Sequence, residues 1–407
     1  MNKICDRWVG SEITGKVSKR KVKILFGARQ TGKSTLLKKI SDSSTVLINL
    51  QDRSERLLYE KNPDELIKRL RAIKGRKKIS IDEIQKVPQL LGDIQLLYDE
   101  SPGKFDFILS GSSARKLRGA SANLLPGRAH QYKIFPVITS EMDSTKESSV
   151  LRLKKVNVKQ KFPAQNIEDI ILYGTLPGIM LEAKHAKGKT LETYTELYLE
   201  EEIRREALVK DIGHFSNFLE LAAIESGNVM NLTGISQQSG VPVSTLKTYY
   251  QVLVDTFVGY WIPPFTFRSR KRILKTPKFY FFDTGVRNAL SRLPLSSKIL
   301  KIQAGKLFEQ WVITELYHRC NYLGKGYRLS YWKTVSGSEV DVVITTPDKV
   351  IPVEVKWTVS PAKKDVRSLE VFLDTYNRVA KQGFIICRTP YRLQMSKRIT
   401  AIPWQEF

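Results

Sequence analysis

Short apolar runs alternate with segments of helical period through the first part of the chain. Residues 34–40 and 63–73 place apolar side chains at the spacing of a helix. The apolar runs are typical of buried strands, and they occupy residues 22–26, 45–52, 77–85 and 105–113. Strands that alternate with helices predict an α/β fold, in which a parallel sheet carries helices on both faces. Such a sheet binds its ligand at the carboxyl ends of the strands.

The pattern changes after residue 140. Residues 141–160 are polar and charged, which is typical of an insertion or linker, and residues 191–209 are strongly helical with charges of both signs. Residues 231–258 predict a helix, a turn at Gly240 and a second helix. A further predicted helix precedes three strand patterns, and these elements occupy residues 305–320, 327–334, 337–344 and 350–356. A chain of 407 residues is long enough for several such domains.

The stretch GARQTGKST, residues 27–35, fits the phosphate-loop pattern G-x-x-x-x-G-K-[ST] directly after the first strand. Glycines let backbone N–H groups turn towards phosphate oxygens, and the helix that follows adds the positive end of its dipole. We expect Lys33 to reach the β- and γ-phosphates of ATP and Ser34 to hold Mg²⁺ through its hydroxyl. The residues predicted to line the nucleotide are Gly27, Arg29, Gln30, Thr31, Gly32, Lys33, Ser34 and Thr35.

Two acids end the third predicted strand, where an ATPase needs a metal ligand and a residue that polarises water. Asp82 would coordinate Mg²⁺ directly or through water, and Glu83 would activate the attacking water. An ordinary cap pair at a strand end is the alternative, but the phosphate loop upstream favours catalysis. Ser110 ends the next strand and would lie beside the γ-phosphate if the two strands are neighbours.

The charge balance points to a polyanionic partner. Lysine and arginine (67) outnumber aspartate and glutamate (41), which gives a formal net charge of +26. Such an excess favours DNA, because phosphate contacts release counterions, although a merely soluble basic surface is the alternative. Three cysteines and four histidines form neither a disulfide framework nor a zinc pattern. Since neither a signal peptide nor an apolar run of membrane length is present, we expect a cytoplasmic protein with no membrane partner.

The two predicted helices around Gly240 resemble a helix-turn-helix, whose second helix enters the major groove of DNA. Lys247, Thr248 and Gln251 would be the exposed side chains of that helix. The alternative is an αα-corner packed inside a helical lid. A basic run with interleaved aromatics follows, which is typical of a strand or wing along a phosphate backbone. Its members are Arg268, Arg270, Lys271, Arg272, Lys275 and Lys278.

Asp341, Glu354 and Lys356 occupy neighbouring predicted strands near the C-terminus. Glu354 and Lys356 point to one face, because strand side chains alternate with a period of two. Two carboxylates that bind Mg²⁺ or Mn²⁺, with a lysine that orients or activates water, form a phosphodiesterase site. For the E-x-K pattern alone, a cross-strand salt bridge is the alternative.

Several segments in a fixed order carry a resemblance to a known family. Together with the phosphate loop, these are SIDEIQKVPQLL (80–91), FILSGSSARKL (107–117), GTLPG (174–178), KFYFFDTGVRNAL (278–290) and GKLFEQWVITEL (305–316). They resemble the bacterial and archaeal AAA-type ATPases that carry a C-terminal DUF4143 domain. The resemblance implies an AAA-type core in residues 1–142, a linker and helical lid in 143–225, and a helix-turn-helix or winged-helix segment in 226–300.

In ring or dimer ATPases, an arginine from a neighbouring subunit often stabilises the transferring phosphoryl group, which implies a homo-oligomer. Arg128 is the first candidate for this arginine and Arg115 the second, and a solvated or DNA-facing role is the alternative for either.

The set Asp341, Glu354 and Lys356 resembles the PD-(D/E)xK nuclease pattern, which implies a nuclease-like α/β domain in residues 301–407. The helix acid of that pattern would be Glu309, with Glu315 as the alternative. We therefore expect an ATP-hydrolysing protein that remodels or moves on duplex or branched DNA, including Holliday junctions, and has metal-dependent endonuclease activity if the carboxylate site is active. The alternative is a nucleotide-switched regulatory ATPase that acts on a protein partner and keeps a silent C-terminal domain.

Overall fold

The computed structural model describes residues 4–15, 21–115, 117, 125–143, 158–199, 212–266 and 276–407. The chain divides into two compact units. The first comprises Met1–Val137, Val156–Phe162 and Val252–Val258, and the second comprises Ile138–Lys155, Pro163–Gln251 and Gly259–Phe407. The three divisions expected after residue 142 fall largely within the second unit, and their boundaries stay a prediction.

A five-stranded parallel sheet forms the centre of the first unit. Its strands are β1 (Val22–Phe26), β2 (Val46–Asn49), β3 (Lys77–Asp82), β4 (Phe105–Gly111) and β5 (Ala129–Lys133). Their spatial order is β2-β3-β4-β1-β5, and every neighbouring pair is parallel. The helices are α1 (Trp8–Ile13), α2 (Lys33–Ile40), α3 (Arg53–Lys61), α4 (Glu65–Arg71) and α5 (Leu90–Glu100). The predicted parallel sheet is therefore confirmed, and it contains one strand, β5, that the sequence pattern did not reveal.

The register of the sheet brings the strand ends to one edge. Phe26 at the end of β1 pairs with Gly111 at the end of β4, and Asn49 at the end of β2 pairs with Asp82 at the end of β3. Apolar side chains from the strands, such as Ile24 and Ile81, form one core with side chains of α4 and α5. Because β1, β3 and β4 are fixed by burial, the loops that follow them start from well-defined positions.

Helices and a short hairpin make up the first part of the second unit. The helices are α6 (Ile167–Tyr173), α7 (Pro177–Leu181), α8 (Lys184–Thr193), α9 (Ile212–Ile224), α10 (Leu232–Ser239) and α11 (Val243–Asp255), whose last residues belong to the first unit. A turn at Gly240 joins α10 to α11. The antiparallel hairpin consists of β6 (Gly259–Ile262) and β7 (Lys278–Phe281). The rings of Phe218, Tyr250 and Phe279 pack edge to face and hold this hairpin against the helices.

A six-stranded mixed sheet forms the rest of the second unit. Its strands are β8 (Arg328–Lys333), β9 (Glu339–Thr345), β10 (Val350–Val355), β11 (Gly383–Cys387), β12 (Leu393–Gln394) and β13 (Ile399–Pro403). Their order is β12-β13-β11-β10-β9-β8, with β9 antiparallel to β8 and β10. The accompanying helices are α12 (Thr284–Leu290), α13 (Ser297–Leu323) and α14 (Arg367–Thr375). The helix and the three strands expected between residues 305 and 356 are all present.

A buried aspartate joins two of the segments that carry the family resemblance. Asp283 caps α12, since its Oδ1 accepts from the Val286 N–H at 3.0 Å, while its Oδ2 accepts from the Thr175 N–H at 2.7 Å. Burial raises the pKa of this carboxyl to about 6, although the backbone hydrogen bonds act against that rise. These contacts connect residues 174–178 to residues 278–290, so both segments have a structural role in the fold.

Among the helices that the structure describes, none has the length and apolar content required to cross a membrane.

Candidate functional site

The loop of residues 27–32 joins β1 to α2 at the carboxyl edge of the parallel sheet. The Lys33 ammonium donates to the carbonyl oxygens of Gly27 and Ala28, at 3.0 Å each, and lies 4.0 Å from Glu83 Oε1. Gly32 caps α2 at a φ of 94°, a left-handed conformation that glycine adopts without strain. A lysine whose ammonium bonds to its own loop at a helix N-terminus is positioned to bind a phosphate group.

The remaining loop residues line the entrance to α2. Gln30 and Thr35 are exposed, whereas Arg29 and Ser34 are half-buried. Thr31 is fully buried, and its hydroxyl donates to the Ala28 carbonyl at 2.8 Å. Thr31 therefore stabilises the loop itself.

Arg7, which the sequence did not single out, holds the loop from behind. Its buried guanidinium donates to the carbonyl oxygens of Thr31 and Phe135. One side chain thus ties the phosphate loop to the segment after β5. No motif surrounds Arg7, so the sequence offered no signal for this role.

Asp82, Glu83 and Ser110 meet at the ends of β3 and β4. The Ser110 hydroxyl donates to Asp82 Oδ1 and accepts from the Glu83 N–H at 3.1 Å. Both acids are buried, and Glu83 has a left-handed φ of 59°. A non-glycine residue in that conformation is uncommon and is concentrated at functional sites. The structure thus brings together the three residues that the strand pattern predicted.

Two further side chains hold the Glu83 carboxylate. Gln85 donates its amide to Glu83 Oε2 at 2.5 Å and to Ser112 Oγ at 2.9 Å, and the Ser112 hydroxyl lies 3.2 Å from the same Oε2. The Gln85 Oε1 is buried and accepts no hydrogen bond among the described residues. Glu83 is therefore fixed by a polar network that the sequence analysis missed, although both partners lie inside the quoted segments.

The two candidate arginines lie at opposite ends of the parallel sheet. Arg128 precedes β5, its carbonyl accepts from the Val22 N–H at 2.9 Å, and its Nε donates to Asp99 at 2.7 Å. It thus lies at the amino ends of the strands. Arg115 follows β4 and lies on the side of the phosphate loop.

One face of α11 carries the three residues predicted to contact DNA. Lys247, Thr248 and Gln251 are all exposed and lie about one helical turn apart, and the exposed Ser244 lies one turn before Lys247 and Thr248. The basic residues that follow, Arg268, Arg270, Lys271, Arg272 and Lys275, lie outside the described residues. Lys278 is described, and its side chain is buried, with 4% of its surface exposed. The expectation that Lys278 lies along a phosphate backbone is therefore wrong.

Carboxylates and lysines converge where β9, β10 and α13 meet. Asp341 Oδ2 accepts from the Val355 N–H at 2.8 Å, and Glu354 Oε1 accepts from Lys356 Nζ at 2.6 Å. Glu354 is 7% exposed, and its Oε2 accepts no hydrogen bond within the described part of the chain. The strand order therefore brings Asp341, Glu354 and Lys356 together, as the sequence predicted.

Of the two candidate helix acids, Glu309 is the one whose carboxyl group the cluster charges affect. The charges of Asp341, Lys278 and Glu339 act on it most strongly. Glu315, the alternative, is 3% exposed and accepts from the Thr139 N–H at 3.0 Å and from Arg319 Nε at 2.8 Å. Since Glu315 is occupied by these contacts, its role is structural.

Lys278 and Glu339 complete the cluster, and no sequence motif pointed to either of them. Lys278 Nζ donates to Glu339 Oε1 at 2.9 Å, and Lys333 Nζ donates to the other carboxylate oxygen at 2.5 Å. The ring of Tyr331 lies 5.0 Å from the Lys278 ammonium. Glu339 begins the segment EVDVV two residues before Asp341, so period-two alternation was the signal that could have revealed it.

The crowding of acids raises their pKa values. Burial, followed by the charge of Asp341, raises the pKa of Glu309 to about 8 and that of Glu354 to about 8. Burial also raises the pKa of Asp341, whereas Lys356 acts to lower it. A cation beside these carboxylates would relieve both the burial and the repulsion.

The fit of this cluster to a divalent cation is partial. No three His, Cys, Asp or Glu side chains converge as a metal-binding group within the described ranges. Asp341 and Glu354 supply two carboxylates, and one buried oxygen of Glu354 has no partner there. Oxygen donors of this kind suit Mg²⁺ or Mn²⁺ when water or a substrate completes the shell.

Three family models match successive parts of the chain. A model described as an AAA domain matches residues 19–142, and models of two domains of unknown function, DUF8612 and DUF4143, match residues 164–297 and 304–407. The chain therefore carries an AAA-type ATPase domain, which implies nucleotide binding, followed by a DUF4143 domain. Both parts of the expected resemblance are confirmed at this level.

Relatives of similar length occur in bacteria and archaea. An uncharacterized protein of Haemophilus influenzae is 22% identical over 89% of this chain and 89% of its own length. An uncharacterized protein of Methanocaldococcus jannaschii is 26% identical over 96% of this chain and 85% of its own length. Among solved structures, Orc1 of Aeropyrum pernix in complex with DNA has a TM-score of 0.30 and 13% identity, with coverage of 74% of this chain and 96% of that chain. A TM-score of 0.30 is too low to carry any inference about this protein.

Proposed function

We propose that this protein hydrolyses ATP and uses the hydrolysis to remodel or move on DNA, with branched DNA among its substrates. The observation that carries the proposal is the meeting of Lys33, Asp82 and Glu83 at one edge of the parallel sheet. The AAA domain over residues 19–142 supports the nucleotide assignment.

Each residue of this edge would have one task. Lys33 and Ser34 would hold the nucleotide, and Asp82, oriented by Ser110, would hold Mg²⁺. Bound ATP would supply the phosphoryl group, and Mg²⁺ would supply the positive charge that balances it. Glu83 would accept a hydrogen bond from the attacking water, after release from Gln85.

The DNA part of the proposal rests on α11. Its exposed face presents a lysine, a threonine and a glutamine, which are side chains that contact phosphates and base edges. The order of three helices followed by an antiparallel hairpin, α9 to β7, supports the proposal of a winged helix. The net charge of +26 adds the non-specific attraction.

ATPase rates in the presence of different DNAs test this function. We expect a several-fold rise with duplex or four-way-junction DNA that declines steeply with salt. Lys33→Ala should abolish hydrolysis, whereas Lys38→Ala, exposed on the same helix, should keep it. Full activity of Lys33→Ala would refute the nucleotide assignment. Hydrolysis that ignores every DNA would instead favour a regulatory switch that acts on a protein partner.

We also propose a homo-oligomer in which Arg128 serves the nucleotide site of a neighbour. Arg128 lies at the sheet end opposite its own phosphate loop, so a head-to-tail arrangement would bring it to the next loop. Mixing inactive Arg128→Ala with inactive Lys33→Ala should restore part of the hydrolysis, because those interfaces that take the loop from Arg128→Ala and the arginine from Lys33→Ala are intact. No recovery in a verified mixed oligomer would refute this role and leave Arg115 as the candidate.

Metal-dependent cleavage of DNA is a second candidate function, at the cluster of Glu309, Asp341, Glu354 and Lys356. Within the part of the chain that the structure describes, the buried Oε2 of Glu354 accepts no hydrogen bond, and this favours the proposal. A divalent ion would supply Lewis acidity at the phosphate, while Lys356 would orient a water. Nicking of a labelled junction with Mg²⁺ or Mn²⁺ should vanish in Asp341→Asn and persist in the exposed control Asp348→Asn. Equal nicking by both variants would place the activity elsewhere.

A further inference from the structure

A buried arginine behind the phosphate loop fixes the direction of one loop peptide. Arg7 is 6% exposed, and its Nη1 donates to the Thr31 carbonyl oxygen at 2.5 Å. The Thr31 carbonyl and the Gly32 N–H belong to one planar trans peptide, so they point in opposite directions. Because Arg7 holds the carbonyl on its own side, the Gly32 N–H points away from Arg7.

The Gly32 N–H is a backbone donor that the protein itself does not use. No residue that the structure describes accepts a hydrogen bond from it, whereas the Gly32 carbonyl accepts the first bond of α2 from the Leu36 N–H at 2.9 Å. Gly32 is the second glycine of the phosphate-loop pattern, whose backbone N–H groups hold phosphate oxygens. The direction of this N–H therefore matters for nucleotide binding.

The other half of the guanidinium is anchored to the parallel sheet. Arg7 Nη2 donates to the Phe135 carbonyl oxygen at 2.5 Å and to that of Pro136 at 3.4 Å. The preceding residue, Ile134, donates its N–H to the carbonyl of Phe26, the last residue of β1, at 2.8 Å. Because the guanidinium is planar with donors at fixed positions, the anchor at Phe135 determines where the Thr31 carbonyl can lie.

The segment that carries Arg7 is fixed in turn by the residue before it. Asp6 Oδ1 pairs with Lys39 of α2 at 2.5 Å, and Asp6 Oδ2 accepts from the N–H groups of Lys159 and Gln160, at 2.8 Å each. All of these residues belong to the first unit. Arg7 is therefore held independently of its contact with the loop.

We propose that Arg7 is a positioning residue for nucleotide binding, which holds the Thr31–Gly32 peptide so that the Gly32 N–H faces the β-phosphate. The inference rests on the proposed function in one respect, namely that the loop of residues 27–32 binds ATP or ADP. Arg7 acts through the loop backbone and does not touch the nucleotide. Without Arg7 this peptide is free to turn over, since glycine tolerates most backbone conformations, and the donor then faces away from the phosphate.

The test is the affinity of the full chain for ADP with Mg²⁺, measured by calorimetric titration. We expect Arg7→Ala to bind ADP about 10- to 100-fold more weakly than the wild type, which is the usual effect of losing a hydrogen bond to a charged group. Arg7→Lys keeps the charge but loses the planar pair of donors, so it should also bind more weakly. The matched control is Arg69→Ala on α4, where the lost contact is a hydrogen bond of 2.8 Å to the Tyr59 hydroxyl. This control should keep the wild-type affinity.

Two readouts separate positioning from stability. The titration gives the number of sites as well as the affinity, and unfolded protein lowers the number of sites without changing the affinity of the sites that remain. Methylguanidinium added to Arg7→Ala should raise the affinity again, because it can make the same hydrogen bonds in the space that the side chain leaves. It should have no effect on Arg69→Ala. Thermal melting shows which variants are folded, and Arg7→Gln replaces Arg7→Ala if the latter fails to fold.

The outcomes distinguish this inference from the nucleotide assignment. A wild type that binds neither ADP nor ATP would overturn both. Wild-type affinity in a folded Arg7→Ala, an equal loss in Arg69→Ala, or a loss confined to the number of sites would overturn the role of Arg7 and leave nucleotide binding by the loop standing. An affinity that falls at an unchanged number of sites, and that methylguanidinium raises again, would support the inference.

Discussion

Substitution of Gly27 by alanine should disable the nucleotide site through a collision with the backbone. A Cβ at this position would lie 2.4 Å from the Ile134 carbonyl oxygen, 2.8 Å from Ile134 Cγ2 and 3.0 Å from Thr31 Oγ1. The first contact is roughly 0.9 Å shorter than a weak C–H···O contact of about 3.3 Å. The obstacle is part of the sheet, because the Ile134 N–H donates to Phe26 at 2.8 Å.

The effect of Gly27→Ala depends on whether the segment at Ile134 or the phosphate loop moves to accommodate the added methyl group. Overpacking of a filled interior costs about 1–3 kcal/mol, so the domain should lose several degrees of melting temperature. If the loop moves instead, its N–H groups shift by most of an ångström, and a misplacement of about 1 Å reduces activity about 100-fold. We therefore expect nucleotide affinity to fall by about 10- to 100-fold.

The assay is calorimetric titration of ADP and ATP into Gly27→Ala, with Gly92→Ala as the matched control. Gly92 lies in α5, and a Cβ there meets no atom within 4 Å. The control should bind nucleotide normally and gain about 0.4–1 kcal/mol in the free energy of unfolding. Wild-type affinity in a folded Gly27→Ala would refute the idea that the tight approach to Ile134 sets the loop geometry.

Three further predictions concern other parts of the chain. Glu83→Gln should reduce phosphate release by about 10²- to 10⁴-fold while ATP binding persists, and an unchanged rate would remove Glu83 from catalysis. Lys247→Glu should weaken duplex binding, measured by fluorescence anisotropy, several-fold more than Lys301→Glu on α13, whereas equal losses would indicate net charge alone. Because burial raises the pKa of Asp283 to about 6, its contribution to stability is complete below about pH 4 and is lost as the pH rises through 6, by about 3 kcal/mol at most. The free energy of unfolding in urea should depend less on pH across this range for Asp283→Asn than for the wild type. Parallel pH profiles for the two proteins would contradict the raised pKa of Asp283.

The elements that the sequence predicted best are those with one dominant pattern. The apolar run of β1 followed by GARQTGKST allows few alternative structures, since burial fixes the strand and the glycines fix the loop. Strand β5 escaped notice because AHQYK has no apolar alternation and its positions are exposed or half-buried. Its place in the sheet comes from pairing with β1, which a local window does not contain.

The choice between Glu309 and Glu315 shows a second limit on what the sequence pattern can predict. Both acids occur on one predicted helix, and a separation of six residues places them on faces roughly 120° apart. Helical period therefore excludes a shared site without saying which acid belongs to it. The contacts of Glu315 with Thr139 and Arg319 decide the matter, and those partners come from elsewhere in the chain or from the next helical turn.

Lys278 illustrates why charge patterns are ambiguous. In the sequence it ends a basic run, and a basic run is ordinarily solvated or bound to phosphate. In the structure it begins β7 and pairs with Glu339, which is distant along the chain. The sequence around a lysine does not show whether it neutralises a buried acid or faces solvent, because the acid that it would pair with lies elsewhere in the chain.

Both candidate sites share one physical requirement, and it explains which residues the motifs leave out. A carboxylate held ready for chemistry inside a protein needs partners, since an unpaired buried charge costs several kcal/mol. Glu83 obtains them from Gln85 and Ser112, and Glu339 obtains them from Lys278 and Lys333. The motif residues carry the chemistry, whereas their partners set when that chemistry is available. A substitution at Gln85 or Lys278 should therefore change how each site is controlled before it changes whether the site exists.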